Sequence, residues 1–390
     1  MGEFFPQVPR KKSHLARNFP QNRPSPPFDL NGGFFQMKKI VGILSASAVL
    51  ATSVFAADVS AGTKLSGKLF AFDADKNLNF FAQGNDSHDY ANPNFVFSIG
   101  DDKAGATVKI TTDGGNLNAA QTTQTIWFKP IDMLKFTLGN YDVALNKETI
   151  DWTESVTALG GNGYLVSLDI AGVMIDLGLN EGNNQAWWFS KADKADDPTI
   201  KPFFVKGGYS ADFGTIGAYA SFNHQRNSWE SVSGAYGVDE PLSNAITNID
   251  FGAGYKNTFN PVTMFVNVVG HLEKKFEWIR PEVFASGNVN AFGFAAFVAP
   301  LIYINGDLDK DAEIEAIVKL SYSIDGITPY IYFKDLNVLA KNFASTIKCG
   351  ATGNLGAMGW NLWVQLDINT ADDKASKVAV SVPFELTINF

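Results

Sequence analysis

From Ala312 to Ile324 the chain alternates apolar and polar side chains almost without a break: Ala312, Ile314, Ala316, Val318, Leu320, Tyr322 and Ile324 fall on one face. Glu313, Glu315, Ile317, Lys319, Ser321 and Ser323 fall on the other. Period two is the pattern of a β-strand whose faces meet unlike surroundings. Asp325-Gly326 follows, a pair suited to the positive φ angles of a tight hairpin, and Ile327 to Phe333 alternates again.

The same unit recurs from Gly62 onward. Phe95/Phe97/Ile99 turn through DDKAG into Ala106/Val108/Ile110, and Leu134/Phe136/Leu138 follow Lys129-Pro130-Ile131-Asp132. Tyr164 to Ile170 turns at Ala171-Gly172, Val205 to Tyr209 turns near Asp212, and Trp360/Leu362/Val364/Leu366/Ile368 comes late. The reading gives about 18 strands (16 if one hairpin is miscounted), with eight short turns alternating with nine longer connections. Those connections fall near residues 73–93, 112–121, 141–161, 180–202, 223–247, 271–279, 299–311, 335–344 and 370–377, and their Asp, Asn, Gly and Lys suit exposed loops. FAAFVAPLIYI, Phe294 to Ile304, is interrupted by Pro300 and reads as a strand end or a loop folded into a lumen.

Several alternating segments reach the roughly 9–11 residues that a tilted strand needs to cross a bilayer. Beyond the leader region no run reaches 18 consecutive apolar residues, so helical spans are excluded. A soluble sandwich would alternate too, with its apolar face inward. Long strands, the short-turn and long-loop rhythm and an export leader favour a closed antiparallel transmembrane β-barrel with short periplasmic turns and long extracellular loops. Tyr141, Tyr164, Tyr209, Phe222, Tyr255, Tyr303 and Phe390 sit at strand ends, as interfacial girdles require.

The leader is MKKIVGILSASAVLATSVFA, residues 37–56, with its basic start, apolar middle and small-residue end before Ala57. Residues 1–36 precede it, rich in Pro and basic groups. They are either an extended leader or the product of an upstream start codon that is not normally translated, and the second reading is preferred. The division is therefore 1–36 extension, 37–56 signal peptide, 57–390 barrel. Residues 1–56 hold seven of the 31 Lys/Arg and two of the 40 Asp/Glu, which leaves the barrel at −14. Such a balance argues against nucleic acid. The lone Cys349 reads as a small hydrophobe on its strand's apolar face, and four histidines without metal-ligand spacing imply no metal and no cofactor.

The terminal stretch VAVSVPFELTINF places Val382, Phe384, Leu386, Ile388 and Phe390 at alternate positions. With this ending the chain resembles the bacterial outer-membrane porins. KPIDMLKFTLGN, Lys129 to Asn140, is similar to a turn and strand of spirochaetal outer-membrane proteins. The resemblance implies that the insertion machinery reads the last strand and that this strand closes the barrel against Gly62 to Phe72. It also implies general members with an arginine cluster facing an acidic inward loop. Only Arg226 and Arg280 remain beyond the leader, so lysines would have to serve.

About 18 strands enclose an aqueous channel. If the apolar residues face lipid, Lys64, Lys68, Lys109, Lys135, Asp169, Asp176, Lys206, Asp250, Glu282, Glu313, Glu315, Lys319, Lys334, Asp367 and Glu385 line it. A wall of mixed charge suits passive diffusion of small hydrophilic solutes and ions, with a weak cation preference from the −14 balance. Asn85-Asp86-Ser87-His88-Asp89 is the one local group resembling catalytic equipment. It reads as a solvated loop, and no enzyme is expected. Trp187, Trp188 and Phe189 in a long loop read as an outer girdle or as a surface-binding patch. The expected partners are outer-membrane lipid, the insertion machinery and small solutes, with trimer and monomer both open. The alternative is a surface protein acting in adhesion or antigen display. Deleting Phe390 is expected to lower membrane assembly more than synthesis, measured by comparing outer-membrane and total protein; equal assembly refutes the assembly role.

Overall fold

The computed structural model describes residues 57–72, 78–82, 92–113, 116–141, 143–150, 153–154, 161–180, 189–191, 198–200, 203–222, 248–273, 275–304, 312–339, 344–369 and 377–389. The extension 1–36, the signal peptide 37–56, His88, Trp187, Trp188 and Phe390 lie outside them.

The first strands are β1 (Ala57–Phe72), β2 (Leu78–Ala82), β3 (Asn92–Gly100), β4 (Ala104–Asp113), β5 (Asn116–Ile131) and β6 (Leu134–Tyr141). Two short pieces follow, β7 (Glu148–Thr149) and β8 (Thr153–Glu154), then β9 (Gly161–Ile170) and β10 (Val173–Asn180). Next come β11 (Phe189–Lys191), β12 (Pro198–Ile200), β13 (Phe203–Ala211), β14 (Gly214–Phe222), β15 (Ile249–Phe259) and β16 (Val262–Leu272). The last are β17 (Phe276–Val289), β18 (Phe292–Tyr303), β19 (Glu313–Tyr322), β20 (Ile327–Asp335), β21 (Ala344–Leu355), β22 (Met358–Asn369) and β23 (Lys377–Asn389).

Nineteen strands form one sheet, while β7–β8 and β11–β12 are separate two-stranded pairs. Pairing within the sheet is antiparallel and joins strands that follow one another in the chain, as in β15–β16 and β16–β17, except that β2 and β3 both pair with β1. At the seam, β1 pairs along one edge with β23, Gly62 opposite Asn389 and Phe72 opposite Val380. Gly62 also pairs with Asn94, so β3 occupies the opposite edge of β1. The five-residue β2 shares that second edge, opposite Lys68–Phe72. The count is therefore nineteen rather than about 18, because the strand partnering β1 arrives in two pieces, β2 and β3.

Several loop boundaries also move. β4 and β5 continue to Asp113 and Asn116, which stand opposite each other, where a loop over 112–121 was expected. NLNAAQTTQT has few apolar residues to mark a strand. β16 and β17 likewise run into the expected loop at 271–279. Pro300 does not end β18: it stands opposite Ile314 of β19. On the other side, register between β17 and β18 lapses from Ile279↔Ile302 to Val283↔Val298, a gap that holds both Pro281 and Pro300. A residue without an N–H is tolerated where no ladder bond is needed.

The alternation resolves as two unlike faces. On β16 Val266 and Val268 are 37% and 38% exposed, while Phe265, Asn267 and Val269 are wholly buried. The outer face carries Ile175, Val205, Ile216, Val283, Val298, Leu320, Ile331 and Val364, all exposed, as a lipid-facing wall requires. Cys349 is exposed on the same wall. No helix among the described residues is long and apolar enough to cross a membrane.

The short turns carry their own chemistry. Asp325 and Gly326 both take positive φ, 49° and 80°, as their hairpin requires. Asp101 accepts hydrogen bonds from the backbone N–H groups of Lys103 (2.7 Å) and Ala104 (2.9 Å), which hold its carboxyl below the usual range. Lys103 also pairs with Asp132 of the neighbouring turn, inside the stretch KPIDMLKFTLGN that forms the β5–β6 hairpin. Ala171 has φ 50° without glycine's freedom. Replacing Gly326 by Val is expected to cost about 1–2 kcal/mol. Ala171→Asn should stabilise by up to about 1 kcal/mol, since Asn tolerates this conformation better. Urea unfolding of the refolded barrel measures both.

Candidate functional site in the barrel interior

The inner face of β16–β19 carries a row of apolar side chains fixed by strand register. Phe265 stands opposite Phe284, Phe284 opposite Phe297, and Phe297 opposite Ile317. All four are essentially fully buried, and the Phe265 and Phe284 rings stack at 5.1 Å. Tyr330, Tyr332 and Ile150 join this cluster. A second cluster holds Leu165, Phe204, Tyr219, Val269, Trp278 and Leu301, with Val143 and Leu145.

Ile150, Val143 and Leu145 belong to no barrel strand. They lie in the connection between β6 and β9, expected as an exposed loop over 141–161. Residues 143–150 instead fold against the inner wall, with Val143, Leu145, Asn146 and Ile150 buried. The driving force is apolar burial, because three of those four side chains cover aromatic surface that would otherwise face the lumen. Glycines make room: a Cβ on Gly254 would lie 2.8 Å from Asn146 Nδ2, and one on Gly217 would lie 2.9 Å from Leu145 Cδ1.

Polar contacts fix the loop's position. Asn146 Nδ2 donates to Asn267 Oδ1 (2.9 Å), and Asn267 Nδ2 donates to the Asn146 carbonyl (3.2 Å) and to Glu282 Oε2 (3.0 Å). Glu148 pairs with Lys256 of β15. Beyond Glu282 a line of charge crosses the wall. Arg280 Nε lies 3.6 Å from Glu282 Oε1, Arg280 Nη2 2.8 Å from Glu315 Oε2, and Lys334 Nζ 3.3 Å from Glu315 Oε1. Four strands thus contribute to one connected polar network, anchored at the loop.

Several residues expected on the inner wall are brought together by strand register. Asp176 and Lys206 stand opposite each other and pair at 3.3 Å; Asp250 lies 2.7 Å from His271 Nδ1. Tyr303 Oη donates to Glu313, Thr346 Oγ1 donates to Asp367, and Thr387 Oγ1 donates to Glu385. Lys319 lies over the Tyr330 ring at 4.8 Å and Lys135 over Trp127 at 5.0 Å. Lys109 and Asp169, opposite Thr123 and Met174, are exposed; Lys68, opposite Pro383, is half-buried. Lys64 stands opposite Thr387, and its side chain lies outside the described residues.

The girdle reading needs correction at two positions. Tyr164 and Tyr209 are exposed, but Tyr141 and Tyr303 pack against the interior cluster. Phe189 opens β11 in a small hairpin with β12, and Phe384 and Leu386 of the terminal strand pair with Gly67 and Leu65. Sequence reasoning missed the aromatic lining and the inward loop. A faint signal existed: Phe265, Phe284 and Phe297 occupy positions where an alternating wall should be polar.

A single antiparallel sheet of this size, its exposed outer face apolar and its inner face carrying charged and aromatic side chains, has the architecture of a large β-barrel. No protein-family model matches the chain, and no curated protein matches it. Its fold is similar to that of OpdL from Pseudomonas aeruginosa, with TM-score 0.53, 8% identity, and coverage of 86% of this chain and 98% of that one. OpdO from the same organism gives 0.52 at 9% identity, covering 86% and 97%. A BenF-like porin from Pseudomonas fluorescens Pf-5 gives 0.50 at 8% identity, covering 87% and 98%. At such identities the likeness is one of fold.

Arg280 and Glu282 have side chains only 5% and 0% exposed. Arg280→Leu strands two carboxylates in the wall and is expected to cost about 3–5 kcal/mol of stability, measured by urea unfolding in detergent.

Proposed function

We propose that residues 57–390 form an outer-membrane porin that passes small hydrophilic solutes and ions by passive diffusion, with a weak preference for cations. The observation that carries this reading is the interior: a charged wall inside a lipid-compatible sheet, with residues 143–150 folded onto it. Glu148 on that loop meets Lys256 on the wall, so a lysine stands where an arginine cluster was expected from the resemblance. The net charge of −14 supports the cation preference, since it favours cations in a water-filled path. The BenF-like porin of Pseudomonas fluorescens Pf-5, similar in fold, supports the channel reading.

The same reading places residues 37–56 as a removed signal peptide and residues 1–36 outside the working protein. Lipid surrounds the wall, the insertion machinery reads the final strand, and association into trimers is compatible with the exposed outer face. The spirochaetal likeness rests on Lys129 to Asn140 alone.

Planar-bilayer recording of the refolded protein is expected to give discrete open steps and a reversal potential on the cation side. Asn146→Ala with Glu148→Ala should loosen the loop and change the unit conductance. A silent bilayer overturns the porin reading in favour of adhesion or display through the loops, and strong anion selectivity overturns the cation preference.

A further inference from the structure

At the long-loop ends of β15, β16 and β17, His271 is surrounded by carboxylates. Its Nδ1 lies 2.7 Å from Asp250 Oδ1, on the adjacent strand. An ionised carboxylate only accepts, so Nδ1 carries the hydrogen, and in the neutral imidazole Nε2 then presents its lone pair. Nε2 faces Glu273 Oε1 at 3.5 Å and Glu277 Oε2 at 3.7 Å. The three candidate ligand atoms of His271, Glu273 and Glu277 all lie within 4.8 Å of one another. Two N···O separations of this size are long for hydrogen bonds. They are close to the separation of about 3.3 Å between ligand atoms bound tetrahedrally at about 2.0–2.1 Å from one metal ion.

The position of Glu277 is the independent observation. His271 stands opposite Trp278, but Leu272 stands opposite Phe276, so Glu277 is the extra residue of a β-bulge. Strict alternation with the inward, buried Trp278 would send Glu277 to the lipid side. The bulge turns it back toward His271, the kind of re-aiming for which one unpaired residue suffices. The His271 ring is held in plane by stacking on Trp278, with centroids 5.6 Å apart and planes 9° from parallel. Asp250 then acts as the outer carboxylate that orients and strengthens a metal-bound imidazole. Glu273 is 50% exposed, which leaves the cluster open to solvent and to water as a further ligand.

We infer that His271, Glu273 and Glu277, oriented by Asp250, form a binding site for one Zn²⁺ ion at the long-loop mouth of the barrel. One imidazole and two carboxylates suit Zn²⁺, whereas Ca²⁺ and Mg²⁺ prefer oxygen donors alone. The site does not depend on the porin reading, because binding is measured without reference to conductance.

The test is calorimetric titration of the untagged, refolded protein in detergent with ZnCl₂, and separately with CaCl₂. One saturable Zn²⁺ per chain is expected, with Ca²⁺ failing to displace it at equal concentration. Glu273→Gln combined with Glu277→Gln should weaken binding at least tenfold, and Asp250→Asn by about 10–100-fold. Heat-modifiable gel mobility confirms that each variant is folded, and Glu273→Gln alone, at an exposed position, supplies a folded comparison if Asp250→Asn does not assemble. The inference is overturned by absence of saturable uptake or by displacement with Ca²⁺. Uptake unchanged in the double variant, which would assign the ion to other histidines such as His88 or His224, overturns it too.

Discussion

Everything in this structure depends on pairing the two edges of β1. Hydrocarbon supplies no hydrogen-bond partners, so an unpaired strand edge would leave a row of backbone groups unsatisfied at several kcal/mol each. The chain meets this by bringing its last strand back to its first. β23 lies along Gly62–Phe72 while β3 and β2 take the opposite edge. The longest-range contact in the sequence is therefore also the one that makes all the local hairpins tenable in a membrane.

Alternation and turn chemistry were legible because both are local. Asp325-Gly326 forms the hairpin its φ preferences demand, and Val205, Val283 and Leu320 face outward as their spacing implies. The pairing partner of the terminal strand was legible for a different reason: an antiparallel circuit leaves the last strand only the first to meet. β5 was half visible, because its Thr, Gln and Asn side chains resemble loop composition although Gln121 to Phe128 pairs residue by residue with β4.

The interior was less legible. A Phe at an inward position is indistinguishable in sequence from a slip in the pattern until something is known to cover it. Phe265, Phe284 and Phe297 are covered in part by Ile150, more than a hundred residues away in the chain, and nothing local to either segment announces the contact. Likewise Asn146 reads as an ordinary loop residue until Asn267 is seen to face it. Strand register alone, by contrast, brings Asp176 to Lys206 and Asp250 to His271. The link from Arg280 of β17 to Glu315 of β19 spans the intervening β18, and Lys334, opposite Ile317, reaches Glu315 two positions away, so both escape that logic.

The bulge at Glu277 has a wider meaning for a wall one residue thick. Counting along a strand is equivalent to assigning sides, so each extra residue inverts the assignment for all that follows until another correction or a turn resets it. β1 shows the same effect, where its register against β23 shifts between Lys68 and Phe70, and Leu69 and Phe72 are both exposed despite opposite parity. A one-residue insertion or deletion in such a strand is thus a change of solvent for half its side chains, whereas the same event in a loop is only a change of length. The barrel's sequence is tolerant in its connections and arithmetically rigid in its wall.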